Sequence, residues 1–203
     1  QLRLRHRIDQ HDGDIRDYNL INDVIKKIKP EAIIHLAAQA LVRHGYQNPK
    51  ETFDTNVGGG INLLEAVRNC PDVRALVFIT SDKCYKNKEW IWGYRENDEL
   101  GGPDPYSASK AAAENVFEGY YKSFLTTNRT LGAVTARAGN VIGGGDLSED
   151  RIVPDCIRAW SIGDIVELRN PISTRPWQHV LEPLSGYLSL AIELYNDDRL
   201  HGE

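Results

Sequence analysis

The stretch ALVFITSDKCYKN, residues 75–87, runs from an apolar segment straight into Ser81, Asp82, Lys83, Cys84 and Tyr85. A hydroxyl, a carboxyl and an amine in succession at the end of a buried strand can do general acid–base chemistry. A protonated carboxyl can give its proton to a leaving group, and a neutral amine can take one from carbon. The same Asp-Lys pair also forms an ordinary surface ion pair wherever a chain surfaces. Downstream, YSASKAAAE sets Tyr106 and Lys110 four residues apart, which puts both side chains on one face of a helix. An ammonium beside a phenol stabilises the phenolate and lowers the phenol from ~10 toward neutrality, which makes the Tyr a usable base. The YxxxK spacing also arises by chance on solvated helices, so its meaning depends on the elements around it.

Those elements alternate. YNLINDVIKKI carries Leu20, Ile21, Val24, Ile25 and Ile28 at helical spacing, and Pro30 breaks the run. EAIIHLAA reads as a buried strand, and TNVGGGINLLEAVRNC as a helix with Val57, Ile61, Leu64 and Val67 on its apolar face. ALVFITS is the next strand, followed by a long polar loop, a helix from near Tyr106 to about Phe124, and a strand in TLGAVTARAGNV. Strands alternating with helices of this length imply βαβ units: an α/β protein with a doubly wound, mostly parallel sheet. Ligands of such sheets sit beyond the carboxyl ends of the strands, which gathers Ala37, Ala38 and Gln39, Ser81 to Lys83, and Gly139 to Gly145 on one rim. From RIVPDCIRAW onward the pattern loosens into a short helix, a brief strand IVELRN, the linker NPISTRPWQHV and a last helix LEPLSGYLSLAIELY.

Composition narrows the classes. With 41% hydrophobic and 26% charged residues the chain is an ordinary globular sequence with room for one substantial core. A net charge of -5 and a pI near 5.7, with no Lys/Arg-rich face, argue against a nucleic-acid partner. The short basic stretch Arg3, Arg5, His6, Arg7 reads as a solvated loop. Apolar runs such as ALVFI fall well short of the ~20 residues of a membrane span and no signal-peptide pattern occurs, so no membrane partner and a cytoplasmic address are expected. Cys70, Cys84 and Cys156 are widely spaced without a CxxC pair, which suits a reducing compartment and no metal site. The chain contains no Met, so it is expected to be a piece of something longer.

Taken in order, EAIIHLAAQ, TNVGGGINLLEA, VFITSDKCY, PYSASKAAAE and RAGNVIGGGD resemble the extended short-chain dehydrogenase/reductases that act on nucleotide sugars, over almost the whole chain. The 4,6-dehydratases of that family carry a hydroxyl residue, an acid and a base at this strand end. Here Ser81, Asp82 and Lys83 stand in those slots, with Lys in place of the commoner Glu. TSDKCY, EWIWGYREND, NVIGGGD, RIVPD and RPWQHV resemble the branch that acts on CDP-glucose. The resemblance implies NAD as cofactor, CDP-glucose as substrate and a homodimer formed through the Tyr106 helix. It also implies roles: Tyr106 takes the 4-hydroxyl proton, Lys83 the C5 proton, Asp82 protonates the departing 6-hydroxyl, Ser81 hydrogen-bonds, and Lys110 steadies Tyr106 and the nicotinamide ribose. By the same resemblance Asp14 and Ile15 of GDIRD meet the adenine, Ala37, Ala38 and Gln39 line the nicotinamide ribose path, and Asn140 and Arg175 bind the substrate. Trp177 and His179 read as packing and hydrogen-bonding residues, and EWIWGYREND as a lid or, alternatively, a dimer contact.

The sequence also departs from the family. Its members open with a strand and a GxxGxxG turn that holds the pyrophosphate, and no such turn occurs in these 203 residues; GNVIGGGD has neither the spacing nor the place. The expectation is a Rossmann-like fold without its first βαβ unit, with residues 1–142 an incomplete NAD-binding core. Residues 143–203 would begin a small C-terminal substrate lobe whose last helix packs back on that core. Gly58, Gly59 and Gly60 each cost a helix ~1 kcal/mol relative to Ala, so that helix is expected to be locally weak. Gly45 stands where related enzymes often carry Ser, and any contact from that hydroxyl is lost. Two alternatives stay open: a 4-epimerase or another extended reductase on a different nucleotide sugar, and a non-catalytic fragment that keeps the fold without turnover.

Overall fold

The computed structural model describes residues 6–127 and 130–196; Arg3, Arg5 and the tail from residue 197 lie outside the described residues. The first helix, α1 (Tyr18–Ile28), starts because the Asp17 carboxylate accepts from the Leu20 amide at 3.1 Å. It ends where Lys29 turns into the left-handed region at φ 51°. After β1 (Ala32–His35) come two short helices, α2 (Val42–Gln47) and α3 (Pro49–Phe53). A π-helical turn, Asp54–Gly58, carries the helical run on into α4 (Gly59–Arg68). Then follow β2 (Ala75–Ile79), a 3-10 turn at Asp82–Cys84, α5 (Pro105–Ser123) and β3 (Gly132–Ala136). The chain closes with β4 (Asn140–Ile142), α6 (Ile152–Ser161), β5 (Trp177–His179) and α7 (Leu181–Asn196).

Strands β1, β2 and β3 form one parallel sheet in that order, with Ala32 opposite Ala75 and Ala75 opposite Gly132. Strand β2 is buried on both faces. Leu76 and Phe78 enter a core built with Ile25 of α1, Leu63, Leu64 and Val67 of α4, and Phe117 and Tyr121 of α5. Ala75 and Val77 point the other way, onto Tyr187, Ala191 and Leu194 of α7. Cover on both faces explains why ALVFI is a continuous apolar run and not an alternating one. The architecture is α/β, a doubly wound parallel sheet with crossover helices on one face and α7 on the other. Because the strands are parallel, His35, Ile79 and Ala136 all end on the same rim.

Several expectations needed correction. Residues 165–170, IVELRN, form no strand: among the described residues no strand pairs with them, and Ile165 is 89% exposed. Conversely, the proline-rich linker contains β5, which pairs in parallel with β4, Asn140 opposite Trp177. The stretch TLGAVTARAGNV is two strands, because the chain leaves the sheet at Arg137 and takes up a new partner at Asn140. The helix read from residue 55 already starts at Pro49, and its π turn adds a residue to one turn and rotates the face that follows. Ile61 therefore points outward at 36% exposure, while Leu63, Leu64, Ala66 and Val67 face the core.

Candidate active site

Helix α5 is positioned at its first turn. Asp104 caps it, accepting from the Ser107 amide at 3.0 Å and from Ser107 Oγ at 2.6 Å, and Pro105 takes the first helical position. Tyr106 follows at once, and the period of the helix aligns Tyr106, Lys110, Glu114, Phe117 and Tyr121 along one buried stripe. The lower, aromatic end of that stripe lies in the core, where the Phe117 and Tyr121 rings stack at 5.9 Å. Its upper, polar end meets the rim of the sheet, where Lys110 Nζ donates to the carbonyl of Ile79 at 3.3 Å.

Burial brings the Lys110 ammonium down to about 8. The Tyr106 phenol moves the other way: burial pushes it up, against a hydrogen bond with Ser81 that pulls it down. This corrects the expectation that Lys110 acidifies Tyr106. The side chain is 8% exposed, so desolvation of the phenolate dominates, and the ammonium is turned to a backbone carbonyl.

Across from Tyr106, Ser81 caps the 3-10 turn, its Oγ accepting from the Lys83 amide at 3.3 Å and donating to Asp82 Oδ1 at 3.1 Å. Lys83 Nζ donates to Asp82 Oδ1 at 3.1 Å and to Asn140 Oδ1 at 3.3 Å, with both members of the Asp82–Lys83 pair half-buried. Backbone bonds from Thr80 to Ala136 and from Asp82 to Ala138 carry the β2–β3 ladder on into the turn. Asn140 in turn donates its amide to Pro176 at 3.1 Å. The structure thus brings Ser81, Asp82, Lys83, Tyr106, Lys110 and Asn140 to one rim. Arg175 lies next to Pro176, but it is exposed and its guanidinium donates to the carbonyl of Thr174 at 2.7 Å.

Gln39 ties the end of β1 to the helices. Its Nε2 donates to Thr52 Oγ1 at 2.8 Å, and its backbone amide and carbonyl bond the side chain of Asn56 at 2.8 and 3.0 Å. Asn56 Nδ2 also donates to Ser109 Oγ at 2.8 Å, so one buried amide joins the π turn, the β1 rim and α5. Sequence reading passed over Asn56; the signal was a polar residue just ahead of three glycines inside a helical pattern. Ala37 is exposed and Ala38 half-buried beside Gln39.

Asp14 holds Arg16 through both carboxylate oxygens at 2.6–3.0 Å, which draws its pKa down to about 2. The carbonyl of Ile15 accepts from Asn62 Nδ2 at 3.0 Å. Next to them lies a hollow of about 300 Å³ lined by Arg16, Asp54, Gly58 and Asn62. Cys84 and Tyr85 fall outside the reacting cluster: the thiol is fully buried, and burial pushes it up to about 12. Among the described residues no group of three or more His, Cys, Asp or Glu could hold a metal ion, and no helix is long and apolar enough to cross a membrane.

Known proteins resemble this chain in sequence and in fold. A CDP-glucose 4,6-dehydratase of Salmonella typhimurium is 50% identical over 200 residues, covering 97% of this chain and 56% of the relative. A UDP-glucose 4-epimerase of Lacticaseibacillus casei is 28% identical over 184 residues, covering 85% of this chain and 55% of its own length. Among solved structures, the UDP-glucose 4-epimerase of Thermus thermophilus in complex with NAD superposes with a TM-score of 0.75 at 28% identity. That match covers 91% of this chain and 60% of the epimerase. The dTDP-glucose 4,6-dehydratase DesIV of Streptomyces venezuelae reaches 0.78 at 24% identity over 91% of this chain and 53% of DesIV, a likeness of fold alone. The chain therefore spans little more than half the length of these relatives. A profile of the family described as GDP-mannose 4,6 dehydratase matches residues 1–195, and the chain belongs to that family.

Proposed function

We propose that the protein is a hydro-lyase that converts CDP-glucose to CDP-4-keto-6-deoxyglucose with NAD, as a nucleotide-sugar 4,6-dehydratase. The observation that carries this reading is the Asp82–Lys83 pair on the rim opposite Tyr106, bonded at 3.1 Å and steadied by Asn140. A 4-epimerase needs neither a C5 base nor a leaving-group acid. The half-identical Salmonella relative supports CDP-glucose among the nucleotide sugars.

The donor set suits NAD. A hollow lined by Arg16, Asp54, Gly58 and Asn62 lies beside Asp14, whose carboxylate Arg16 holds; the small Ala37 and Ala38 follow the end of β1, and Lys110 offers a buried ammonium to ribose hydroxyls. When bound, NAD would supply the hydride-transfer chemistry that the sugar's C4 and C6 require. Tyr106 Oη takes the 4-hydroxyl proton as a phenolate, which burial disfavours in the resting site and which the positive nicotinamide ring would favour when bound; the 4-ketone so formed acidifies the proton at C5. Lys83 removes that proton, Asp82 donates to the 6-hydroxyl, which departs as water, and a proton given back to C5 by Lys83 completes the reduction at C6. The elimination needs Asp82 protonated and Lys83 neutral. The ion pair at rest differs from that state by the single proton between Lys83 Nζ and Asp82 Oδ1. Asn140 holds Lys83 from its far side, and Arg175 offers a planar cation to the substrate diphosphate.

In this reading residues 1–142 supply the NAD-binding core and residues 143–203 begin the substrate lobe, with loop EWIWGYREND at the substrate's edge. A homodimer through α5, a cytoplasmic address and a place in building deoxysugars for polysaccharide complete it, with no nucleic-acid or membrane partner. All three cysteines are free, which suits a reducing compartment. The whole protein should turn CDP-glucose into a product with base-dependent 4-keto absorbance. Lys83→Ala should stop after oxidation with reduced nicotinamide accumulating; unchanged turnover would refute the role given to Lys83.

A further inference from the structure

The turn that carries Ser81, Asp82 and Lys83 is gripped on both flanks by one buried ion pair. Glu114, 5% exposed, lies on α5 one turn beyond Lys110. Arg137 reaches it with two parallel bonds, Nε to Oε1 at 2.9 Å and Nη2 to Oε2 at 2.8 Å. Glu114 also accepts from Thr80 Oγ1 and, at 2.9 Å, from Thr135 Oγ1. From its free side Arg137 Nη1 donates to Tyr85 Oη at 2.9 Å and to the carbonyl of Glu96 at 2.8 Å, with the guanidinium 4.9 Å over the Tyr85 ring. Thr80 is the residue before Ser81, and Tyr85 the residue after Cys84. The Tyr85 ring stacks on Tyr94 at 5.1 Å, and Tyr94 meets Trp90 at 5.4 Å, so the aromatic loop is moored at the same point.

We infer that Glu114 and Arg137 form a clamp, with Arg137 a positioning residue that sets where Asp82 and Lys83 stand relative to Tyr106 and Lys110. The inference rests on the dehydratase reading above. A buried ion pair is weak evidence for stability, since an apolar pair of equal volume often serves as well. What it supplies is direction. The acid–base pair stands on a turn after β2, and the Tyr–Lys pair on α5. The planar fork of Arg137 bonds Glu114 on α5 and Tyr85 just after the turn at once, and a Lys, a single point charge, cannot. Lys110 feels the same pair, because the Glu114 charge holds its pKa up against desolvation.

Single-turnover kinetics of the whole protein with CDP-glucose in deuterated water separates the two halves of the reaction. Reduced nicotinamide reports oxidation, and deuterium at C5 with loss of the 6-hydroxyl reports elimination. In Arg137→Lys, oxidation should be little changed, while elimination slows about a hundredfold, the loss that a misplacement of ~1 Å brings. Tyr85→Phe deletes one bond to Arg137, leaves the ion pair intact, and should show the same asymmetry at smaller size. It also keeps the test open if Arg137→Lys does not fold. Hydrogen exchange gives a second readout that needs no turnover: the amides of Asp82 and Cys84, bonded at 3.0 Å to Ala138 and Ser81, should exchange faster in both variants while those of α5 stay protected. Equal loss of both steps, or unchanged exchange in the turn, overturns the clamp. A wild-type protein that oxidises but never eliminates overturns the dehydratase reading, and exchange then still decides the clamp.

Discussion

Gly58, Gly59 and Gly60 look like three weak points in a helix, and the structure converts that expectation into a graded test. Gly58 and Gly59 have ordinary helical angles, φ -60° at both, so neither needs glycine's freedom. What differs is space. A Cβ at Gly58 would meet nothing within 4 Å. At Gly59 it would stand 2.6 Å from Ile15 Cγ2, and at Gly60 2.9 Å from Phe78 Cζ. The Phe78 ring is itself wedged between His35 at 4.7 Å and Phe117 at 5.6 Å, so it has little room to give. Each Gly→Ala change gains about 1 kcal/mol of helix propensity. Gly58→Ala should keep that gain, while Gly59→Ala and Gly60→Ala meet overpacking of about 1–3 kcal/mol and lose on balance. Urea unfolding reads the series as midpoints at constant slope, with Gly58→Ala about 2 kcal/mol above the other two. If Gly60→Ala stabilised as much as Gly58→Ala, close packing of α4 on the sheet would not be the reason for these glycines. The point bears on the site, because that packing carries Asn56 to Gln39 and Ser109.

Lys110 should be a stability cost retained for function. Its native value, about 8, lies below the ordinary 10.5, so the unfolded chain holds more protons between those two pH values and stability rises with pH across that window. Lys110→Met should therefore stabilise by about 3 kcal/mol at pH 7, a gain that fades toward pH 10 and above; denaturant titrations at the two pH values measure it, and a loss at pH 7 would refute it. Burial of Cys84 and Cys70 predicts that a thiol reagent modifies Cys156 first, with Cys84 protected until unfolding; rapid native-state labelling of Cys84, read by peptide mass, would contradict its burial.

How far the site could be read depends on how local each determinant is. Tyr106 and Lys110 share a face because of the helix period, and Asp104 and Pro105 mark where that helix begins, so residue types and short spacings suffice. The strand ends share a rim because parallel strands must, so the alternation of strands and helices suffices there too. Strand β5 has the sequence of a linker, with prolines and polar groups for neighbours; it is a strand only through its pairing with β4. IVELRN failed in the opposite sense, with the composition of a strand and no partner. The direction in which the Tyr106 phenol shifts needs burial as well as proximity, and a four-residue spacing carries only proximity. Arg137 and Glu114 are twenty-three positions apart, on a strand end and a helix, and no periodicity relates them. The two reacting pairs are therefore each written in a short stretch of chain, whereas the relation between them is written in long-range contacts. A substitution that spares both motifs and breaks such a contact should uncouple oxidation from elimination while leaving the fold and every recognisable motif in place.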